Sequence, residues 1–408
     1  MNDTELIPNL FRTEYSKIVA VLCKLFGIEY IANAEDIVSD TFLLAAETWG
    51  LKGLPKNPTA WLYTVSKNKA LDFLRRNKTF TQKIVPVIKE IETTTEPQVD
   101  LSDKNINDSQ LQMMFAICHP CITTEAQIGL SLNILCGFGA EEIADAFLSN
   151  KETIYKRLNR AKEKLKTEKV AIALPAAEEI NKRLETVLTT LYLLFSEGYY
   201  STSQNNTLRK ELCIEAMRLN VMLTDNEQTN TPAANALLSL MCFHSSRFEA
   251  RINKNGGFVL YEDQDEKLWN IELIEKGEYY LNKASLGNKL SKYHLEAAIA
   301  YWHTQKKDSN EKWENILQLY NKLLQLEYSP IAALNRTYAL SKANGKQEAI
   351  IEAEKLKLGN NHLYHLLLGN LYTNIDTTKA LQHLYTALRL AKSANDKAAI
   401  NKNISLLA

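Results

Sequence analysis

The stretch NPTAWLYTVSKNKALDFLRR, Asn57 to Arg76, combines a row of aromatic and aliphatic residues with a row of cations at helical spacing. Pro58 suits the first turn of a helix, because its ring fixes φ near the helical value and that turn needs no N–H donor. Residues three and four positions apart share a helix face, so Trp61, Val65 and Asn68 lie on one side. The pattern predicts a long amphipathic helix.

The polar side of this predicted helix has two interpretations. It carries the cations Lys67, Lys69, Arg75 and Arg76. Cations neutralise phosphates, and bases stack on aromatic side chains at roughly 1–3 kcal/mol each, so the helix would suit single-stranded nucleic acid. The alternative is an ordinary amphipathic helix with its apolar residues in the core and its charges solvated. The helix alone leaves both open.

The composition of the whole chain favours a helical protein with more than one domain. The sequence has 408 residues, of which 45% are hydrophobic, with 14 Gly and 9 Pro. A chain of this length can bury two or three cores, and few helix-breaking residues favour an all-α fold. The N-terminus lacks an apolar signal segment and no window resembles a membrane span, so we expect a cytoplasmic protein without a membrane partner.

Charge is balanced overall but not along the chain. The 48 Lys and Arg residues equal the 48 Asp and Glu residues. Six cations accompany one acid between Trp61 and Lys83, however, and eight accompany three acids between Lys151 and Lys169. Two basic segments in an otherwise neutral chain predict contact with nucleic acid at two places.

Neither a metal site nor an enzyme active site is predicted. Cys118, His119 and Cys121, with Cys136 further on, come closest to a metal-binding pattern, but they lack the paired spacing of structural zinc sites. Buried thiols beside a helix broken by proline are the alternative. The seven histidines fall in no nucleophilic constellation, and no Gly-rich phosphate loop precedes a helix. We therefore expect no cofactor and no catalysis.

Hydrophobic periodicity divides the chain into segments. Helical patterns run from about Leu6 to Lys78 and again from Leu111 to about Lys169. Between them, residues 79–108 are rich in Glu, Thr, Asp and Asn, which predicts an acidic linker. From about Leu174 onward, amphipathic helices follow one another without strand-like alternation.

Residues 140–169 have the spacing of a helix-turn-helix. Ala144 is small where two helices approach, Leu148 falls in the turn, and Ile154 anchors the second helix. Asn150 or Ser149 is expected to cap that helix. Any helical hairpin can share this spacing, so the basic face favours DNA binding more than the spacing does. The residues expected to face a major groove are Thr153, Lys156, Arg157 and Arg160.

Residues 1–170 resemble an extracytoplasmic-function (group 4) sigma factor of bacterial RNA polymerase. AEDIVSDTF, Ala34 to Phe42, is similar to that family's polymerase-binding helix, from which Ser39 departs. WLYTVSKNKALDFLRR, Trp61 to Arg76, is similar to its promoter-melting helix. EEIADAFLSNKETIYKRLNRAKEKL, Glu141 to Leu165, is similar to its −35 reader, with Leu-Ser at the turn where the family usually has Gly-Val.

The resemblance implies sigma domain 2 at residues 1–80, the acidic linker at 81–108 and sigma domain 4 at 109–170. It also implies two partners, core RNA polymerase and promoter DNA. The polymerase contacts would be Glu35, Asp36, Val38, Asp40 and Phe42, the acids steering and the apolar residues anchoring. The −10 DNA contacts would be Lys56, Asn57, Trp61, Lys67, Asn68, Arg75 and Arg76, and the −35 DNA contacts would be Thr153, Lys156, Arg157 and Arg160.

FAICHP, LYLLFSEGYY, YEDQDEKLW and the closing helical repeat resemble a subgroup of these sigma factors with a long helical C-terminal extension, here residues 171–408. The repeat approximates a tetratricopeptide pattern, whose Gly and Ala residues mark close contacts between helices. Such a stack either binds a peptide or protein ligand or serves only intramolecular packing. The residues that fit the pattern are Leu368, Gly369, Tyr372, Ala380, Leu384 and Ala387.

Two motifs of the extension have no assigned role. Glu197-Gly198-Tyr199 is expected to cap the C-terminus of a helix. The acidic cluster from Glu262 to Glu266 is expected to be a solvated loop between helices, anchored by Trp269. The alternatives are that its carboxylates mimic a strip of phosphates or hold a cation.

The expected function is therefore that of a sigma factor that joins core polymerase, opens a promoter and is regulated by its fused helical extension. The alternative is a one-component transcriptional regulator that binds duplex DNA through the helix-turn-helix and senses a ligand through the repeats. That alternative leaves the aromatic, basic helix unexplained. The two differ in whether binding of duplex DNA depends on core polymerase.

Overall fold

The computed structural model of the chain describes residues 3–76, 99–147, 149–200, 206–251, 259, 261–305, 307–392 and 394–407. It is all-α, as predicted, and contains no strand within these ranges. Two compact units divide the chain, Met1–Thr229 and Asn230–Ala408. Within the described ranges, each helix is either too short or too polar to span a bilayer.

Nine α-helices of the first unit are described. α1 to α3 hold the segment expected to be sigma domain 2, α4 to α7 hold the segment expected to be domain 4, and α8 and α9 begin the extension. Their bounds are α1 Asp3–Phe26, α2 Ile31–Lys52, α3 Pro58–Arg76, α4 Asp103–Ile117, α5 Thr124–Leu130, α6 Ala140–Ala146, α7 Lys151–Thr167, α8 Ile180–Tyr200 and α9 Asn206–Thr224.

Local sequence explains where these helices begin. Pro58 opens α3, as predicted, and the Asn57 side chain accepts a hydrogen bond from the Ala60 N–H at 3.0 Å. Asn150 caps α7 by accepting from the Thr153 N–H at 2.8 Å, which decides between the two predicted caps. Each cap satisfies an N–H that the first turn leaves without a helical partner.

The interior of the first unit joins all three groups of helices. α1 packs against α2, α3 and α4, and its Ile18 and Leu22 are fully buried. α8 and α9 pack against each other and both contact α4, with Leu191 and Leu219 fully buried. The first two helices of the extension therefore complete this core.

Two features differ from the boundaries expected from sequence. α4 begins at Asp103, inside the stretch expected to be linker, because Ser102 accepts a hydrogen bond from the Asn105 N–H and caps it. The expectation that Glu197 to Tyr199 cap a helix is wrong, since all three residues lie within α8. Gly198 is buried there, so the small residue serves packing rather than termination.

Ten α-helices of the second unit are described. α10 packs against α12 and α13, and from α13 onward each helix contacts the next. Gly369 lies where α17 and α18 approach closely, as the tetratricopeptide-like pattern predicts. A Cβ at this position would lie 2.7 Å from the Leu384 side chain. The helices are α10 Pro232–Ser246, α11 Phe248–Arg251, α12 Ile271–Ala284, α13 Lys292–Trp302, α14 Asn310–Leu326, α15 Pro330–Ala343, α16 Lys346–Lys355, α17 His362–Tyr372, α18 Thr377–Leu390 and α19 Ala394–Ser405.

Candidate nucleic-acid interface

The predicted polymerase-binding residues of α2 occupy two different environments. Asp36 and Asp40 are exposed, and the Asp40 carboxylate lies 3.5 Å from the Lys69 ammonium. Val38 and Phe42 are buried, at 0% and 5% exposure. In this conformation the two apolar side chains belong to the core and offer no anchor to a partner.

Exposed leucines supply the apolar surface that Val38 and Phe42 lack. Leu43 is 60% exposed and Leu44 is 37% exposed. Leu43 follows Asp36 by seven residues and Leu44 follows Asp40 by four, so each leucine shares a face with an exposed acid. Sequence reasoning missed both leucines, although this spacing could have identified them.

Glu35 is the predicted polymerase contact with the strongest intramolecular partner. Its two carboxylate oxygens each accept a hydrogen bond of 2.7 Å from the Lys162 ammonium of α7. The side chains are 16% and 15% exposed, so the pair is largely removed from water. Helix α7 therefore covers part of the predicted polymerase surface, a contact that joins residues 127 positions apart.

The Glu35 charge acts on its buried neighbours. Burial is the main cause that raises the pKa of Tyr15 and the pKa of Cys23, and the nearby Glu35 carboxylate raises both further. Both groups therefore stay neutral at physiological pH. The Lys162 ammonium lowers the pKa of Cys23 and so opposes the effect of Glu35. The two charges therefore compensate each other where α7 contacts α2.

Helix α3 presents its predicted DNA contacts on an open surface. The rings of Trp61 and Trp49 meet edge to face, with centroids 5.4 Å apart, and Trp49 is only 6% exposed. Trp61 itself is partly exposed, and it packs against the buried Trp49 ring on its inner side. Lys67 is also partly exposed, and the exposed members of the predicted set are Lys56, Asn57, Asn68, Arg75 and Arg76.

The four predicted −35 contacts lie together on one concave surface. A groove of about 700 Å³ runs between α7 and the start of α5, and Thr153, Lys156, Arg157 and Arg160 all line it. Ile154 is buried beneath them, as the helix-turn-helix spacing predicts. Leu148, the expected turn residue, lies outside the described residues.

Of the groove residues outside the predicted set, two carry ionisable side chains, Lys164 and Cys121. Lys164 adds a cation one turn beyond Arg160 and pairs with Glu168 at 2.8 Å. Cys121, one of the cysteines considered above for a metal site, lines the groove, and its pKa is raised chiefly by burial. Burial also raises the pKa of Cys118, to about 11. Within the described ranges, no group of three or more His, Cys, Asp and Glu side chains could hold a metal ion.

Arg12 of α1 forms contacts with both α6 and α9. Its guanidinium donates to Glu142 of α6 and to Glu211 of α9, and it lies 4.7 Å from the centre of the Phe138 ring. Arg218 of α9 donates to the Leu135 carbonyl at 2.7 Å. The extension thus contacts both the α1 side and the helix-turn-helix side of the first unit.

Comparison with known proteins places this arrangement in a family. Residues 10–80 match Sigma-70 region 2, a range that includes most of α1 and all of α2 and α3. Residues 183–285 match a family of unknown function, DUF6596. An uncharacterized protein of Rhizobium meliloti (strain 1021) is 30% identical over 392 residues, which are 93% of this chain and 92% of that protein. No solved structure matches the chain significantly. The chain therefore belongs to the sigma-70 family, and it shares nearly its full length with this Rhizobium relative.

Proposed function

We propose that the protein is an extracytoplasmic-function sigma factor that directs core RNA polymerase to a promoter and is regulated by its own helical extension. The observation that carries this proposal is the pairing of two surfaces in one unit. An acidic and apolar face on α2 lies in the segment that matches Sigma-70 region 2, and a basic groove lies on α7. The chain would make no covalent change in its partners.

In this proposal α2 meets the polymerase through Asp36 and Asp40, with Leu43 and Leu44 beside them. Exposed acids steer association, whereas exposed apolar residues contribute most of the binding free energy once water is excluded. Trp61 and the cations of α3 hold the unpaired strand of the −10 element, and the α7 groove holds the −35 duplex.

The same proposal makes the described conformation an inactive one. Glu35 cannot meet the polymerase while Lys162 holds both of its oxygens, so binding requires α7 to leave α2. The contacts of Arg12 with Glu142 and Glu211 oppose that movement. Since Glu211 belongs to the extension, the extension would inhibit the sigma segment by stabilising the closed arrangement.

The second unit would then carry the input to this control. Its successive helix pairs are consistent with a tetratricopeptide-like stack, and such stacks bind peptides or proteins along a concave surface. A peptide or protein ligand is therefore the partner we expect there.

Transcription in vitro with purified core polymerase tests the proposal. The full chain should start RNA synthesis on a library of promoter fragments, and Asp36→Arg should abolish it because a cation replaces an acid on the polymerase face. Glu185→Arg makes the same charge reversal at an exposed position of α8 and should leave synthesis unchanged. Duplex binding without core polymerase, together with no synthesis by any form, would instead indicate a one-component regulator.

The closed arrangement has its own test in the same assay. Lys162→Met releases Glu35 without altering a residue of the predicted polymerase or DNA surfaces, so it should raise the initial rate of synthesis. Lys166→Met is a matched control, because Lys166 is half exposed and pairs only loosely with Glu163 at 3.7 Å. A lower rate for Lys162→Met than for Lys166→Met would contradict closure by α7.

A further inference from the structure

Two cationic side chains lie buried in the second unit without a carboxylate partner. Lys312, in the first turn of α14, is 2% exposed, and Arg247, which follows α10, is 7% exposed. No described Asp or Glu forms an ion pair with either. The residues of this unit outside the described ranges, 252–258, 260, 306, 393 and 408, include no Asp or Glu.

The hydrogen-bond acceptors of the Lys312 ammonium are neutral, while the carboxylates of Asp308 and Glu266 act on it from a distance without an ion pair. It donates to the Tyr261 hydroxyl and to the Gln305 carbonyl, each at 2.9 Å. It also lies 5.2 Å from the centre of the Tyr261 ring and 5.6 Å from that of the Trp313 ring. An ammonium has three protons, and these bonds use two of them.

Arg247 approaches the same tyrosine. Its guanidinium carbon lies 5.4 Å from the Tyr261 ring centre, and its buried Nε has no hydrogen-bond partner among the described residues. The buried Nδ1 of His303 also lacks one, and the His303 ring lies 4.9 Å from the Tyr261 ring. Burial, and then the charges of Arg247 and Lys312, lower the pKa of His303 to about 3.

The arrangement concentrates positive charge and unused donors around one aromatic ring. Burying a cation is unfavourable unless an anion or a full set of hydrogen bonds compensates it, and two like charges near one ring repel each other. An arginine fork and a lysine point charge are the groups that proteins use to bind carboxylates and phosphates. Asp308 and Glu266 act on Lys312 only from a distance, so the missing component is an anion that bonds directly to these N–H groups.

We propose that Arg247, Lys312 and His303 form a binding site for the oxyanion group, carboxylate or phosphate, of a small ligand. Tyr261 and Trp313 would contact the apolar part of that ligand. The site also gives a role to the YEDQDEKLW motif, because Tyr261 is its first residue and bridges to Lys312. The neighbouring Glu262 pairs with a different cation, Lys342, at 2.6 Å.

Hydrogen exchange of the full-length protein tests this site. Samples contain inorganic phosphate, succinate or chloride alone at one ionic strength. Bound anion should slow amide exchange in residues 261–269 and 307–313 about tenfold at about ten times its Kd. A response to phosphate alone or to succinate alone identifies the oxyanion, and restriction to these residues separates the site from the basic groove of the first unit.

Three variants complete the test. Lys312→Met and Arg247→Met should abolish the slowing, whereas Lys342→Met should retain it, because Lys342 is a neighbouring cation that already has a carboxylate partner. In chloride alone, Lys312→Met should melt at the same temperature as the native chain or higher, since it removes an uncompensated charge.

Three results would overturn the proposal. The first is no slowing by either anion up to about 50 mM, which leaves no useful affinity. The second is slowing that persists in both Lys312→Met and Arg247→Met. The third is a lower melting temperature, or failure to fold, for both variants in chloride, because that result assigns the cations to a structural contact with the aromatic rings.

Discussion

Lys162 in the first unit and Lys312 in the second are both lysines on long helices that lose most of their contact with water. Lys162 is 15% exposed and meets both oxygens of Glu35, whereas Lys312 is 2% exposed and meets only a hydroxyl, a carbonyl and aromatic rings. A paired buried charge holds two elements of one chain together. An unpaired buried charge leaves a position that a ligand can fill.

Breaking the buried pair should have the largest effect on stability. Glu35→Gln leaves the Lys162 ammonium without its anion, so the free energy of unfolding of the first unit should fall by about 3 kcal/mol. Urea denaturation measures the loss. The double variant Glu35→Gln with Lys162→Met should recover part of it, since the pair is then removed as a whole. A loss in the double variant equal to the sum of the losses in Glu35→Gln and Lys162→Met alone would mean that the two side chains do not interact.

Acid should destabilise the second unit next most strongly. His303 is held neutral in the folded chain, with a pKa of about 3, whereas the unfolded chain takes up a proton below about 6.5. The stability that neutral His303 contributes is complete above pH 6.5 and is lost as the pH falls toward 3. The loss should be about 1.4 kcal/mol per pH unit, or about 2 kcal/mol at pH 5.

His303→Gln isolates that contribution. Denaturation of the second unit between pH 7.5 and 5 should depend less steeply on pH in the variant than in the native chain. His244, whose pKa burial also lowers, should retain a residual slope in both. An unchanged slope in His303→Gln would show that His303 is protonated without cost.

The partly exposed ion pairs of Arg12 should contribute less to the stability of the first unit than the buried Glu35–Lys162 pair. The Arg12 side chain is 32% exposed, and Glu142 and Glu211 are 40% and 36% exposed. Arg12→Met should lower the free energy of unfolding of the first unit by about 1 kcal/mol, because water screens these charges. The loss should shrink in 0.5 M salt. A loss as large as that of Glu35→Gln would show that the exposure of an ion pair does not determine how much it contributes to stability.

The smallest effect should come from a surface pair of the second unit. Glu262 is 61% exposed, and Lys342 and the Tyr338 hydroxyl bond to it, which lowers the pKa of Glu262. Glu262→Gln should change the free energy of unfolding by less than about 1 kcal/mol. Denaturation in urea at pH 7 measures it. A loss of several kcal/mol would mean that the second unit depends on its ion pairs as the first does.

Sequence predicted the features that local rules govern. Pro58 and Asn150 begin their helices as capping rules require, and one face of α7 gathers the predicted Lys156, Arg157 and Arg160 because residues at these spacings share a face. These outcomes depend on neighbours within a turn or two. They are therefore readable without the tertiary fold.

Other features depend on distant partners and escaped prediction. An apolar residue in a motif can serve the core or a partner, and only packing shows that Val38 and Phe42 serve the core. In the sequence, Lys162 is one of several cations of a basic helix. Only the tertiary fold shows that it pairs with Glu35. Lys312 lies beside Glu311 in a polar first turn, and its burial arises from residues of other segments.

The completion of the first core by α8 and α9 bears on how such chains can evolve. An exchange of regulatory segments between related genes that joined them near residue 170 would separate Leu191 and Leu219 from the interior they fill. The recombinant would lose about 1.5–3 kcal/mol for each such side chain left in water. Viable crossovers should therefore cluster after α9, near residue 229, so these two helices are inherited together with the sigma segment.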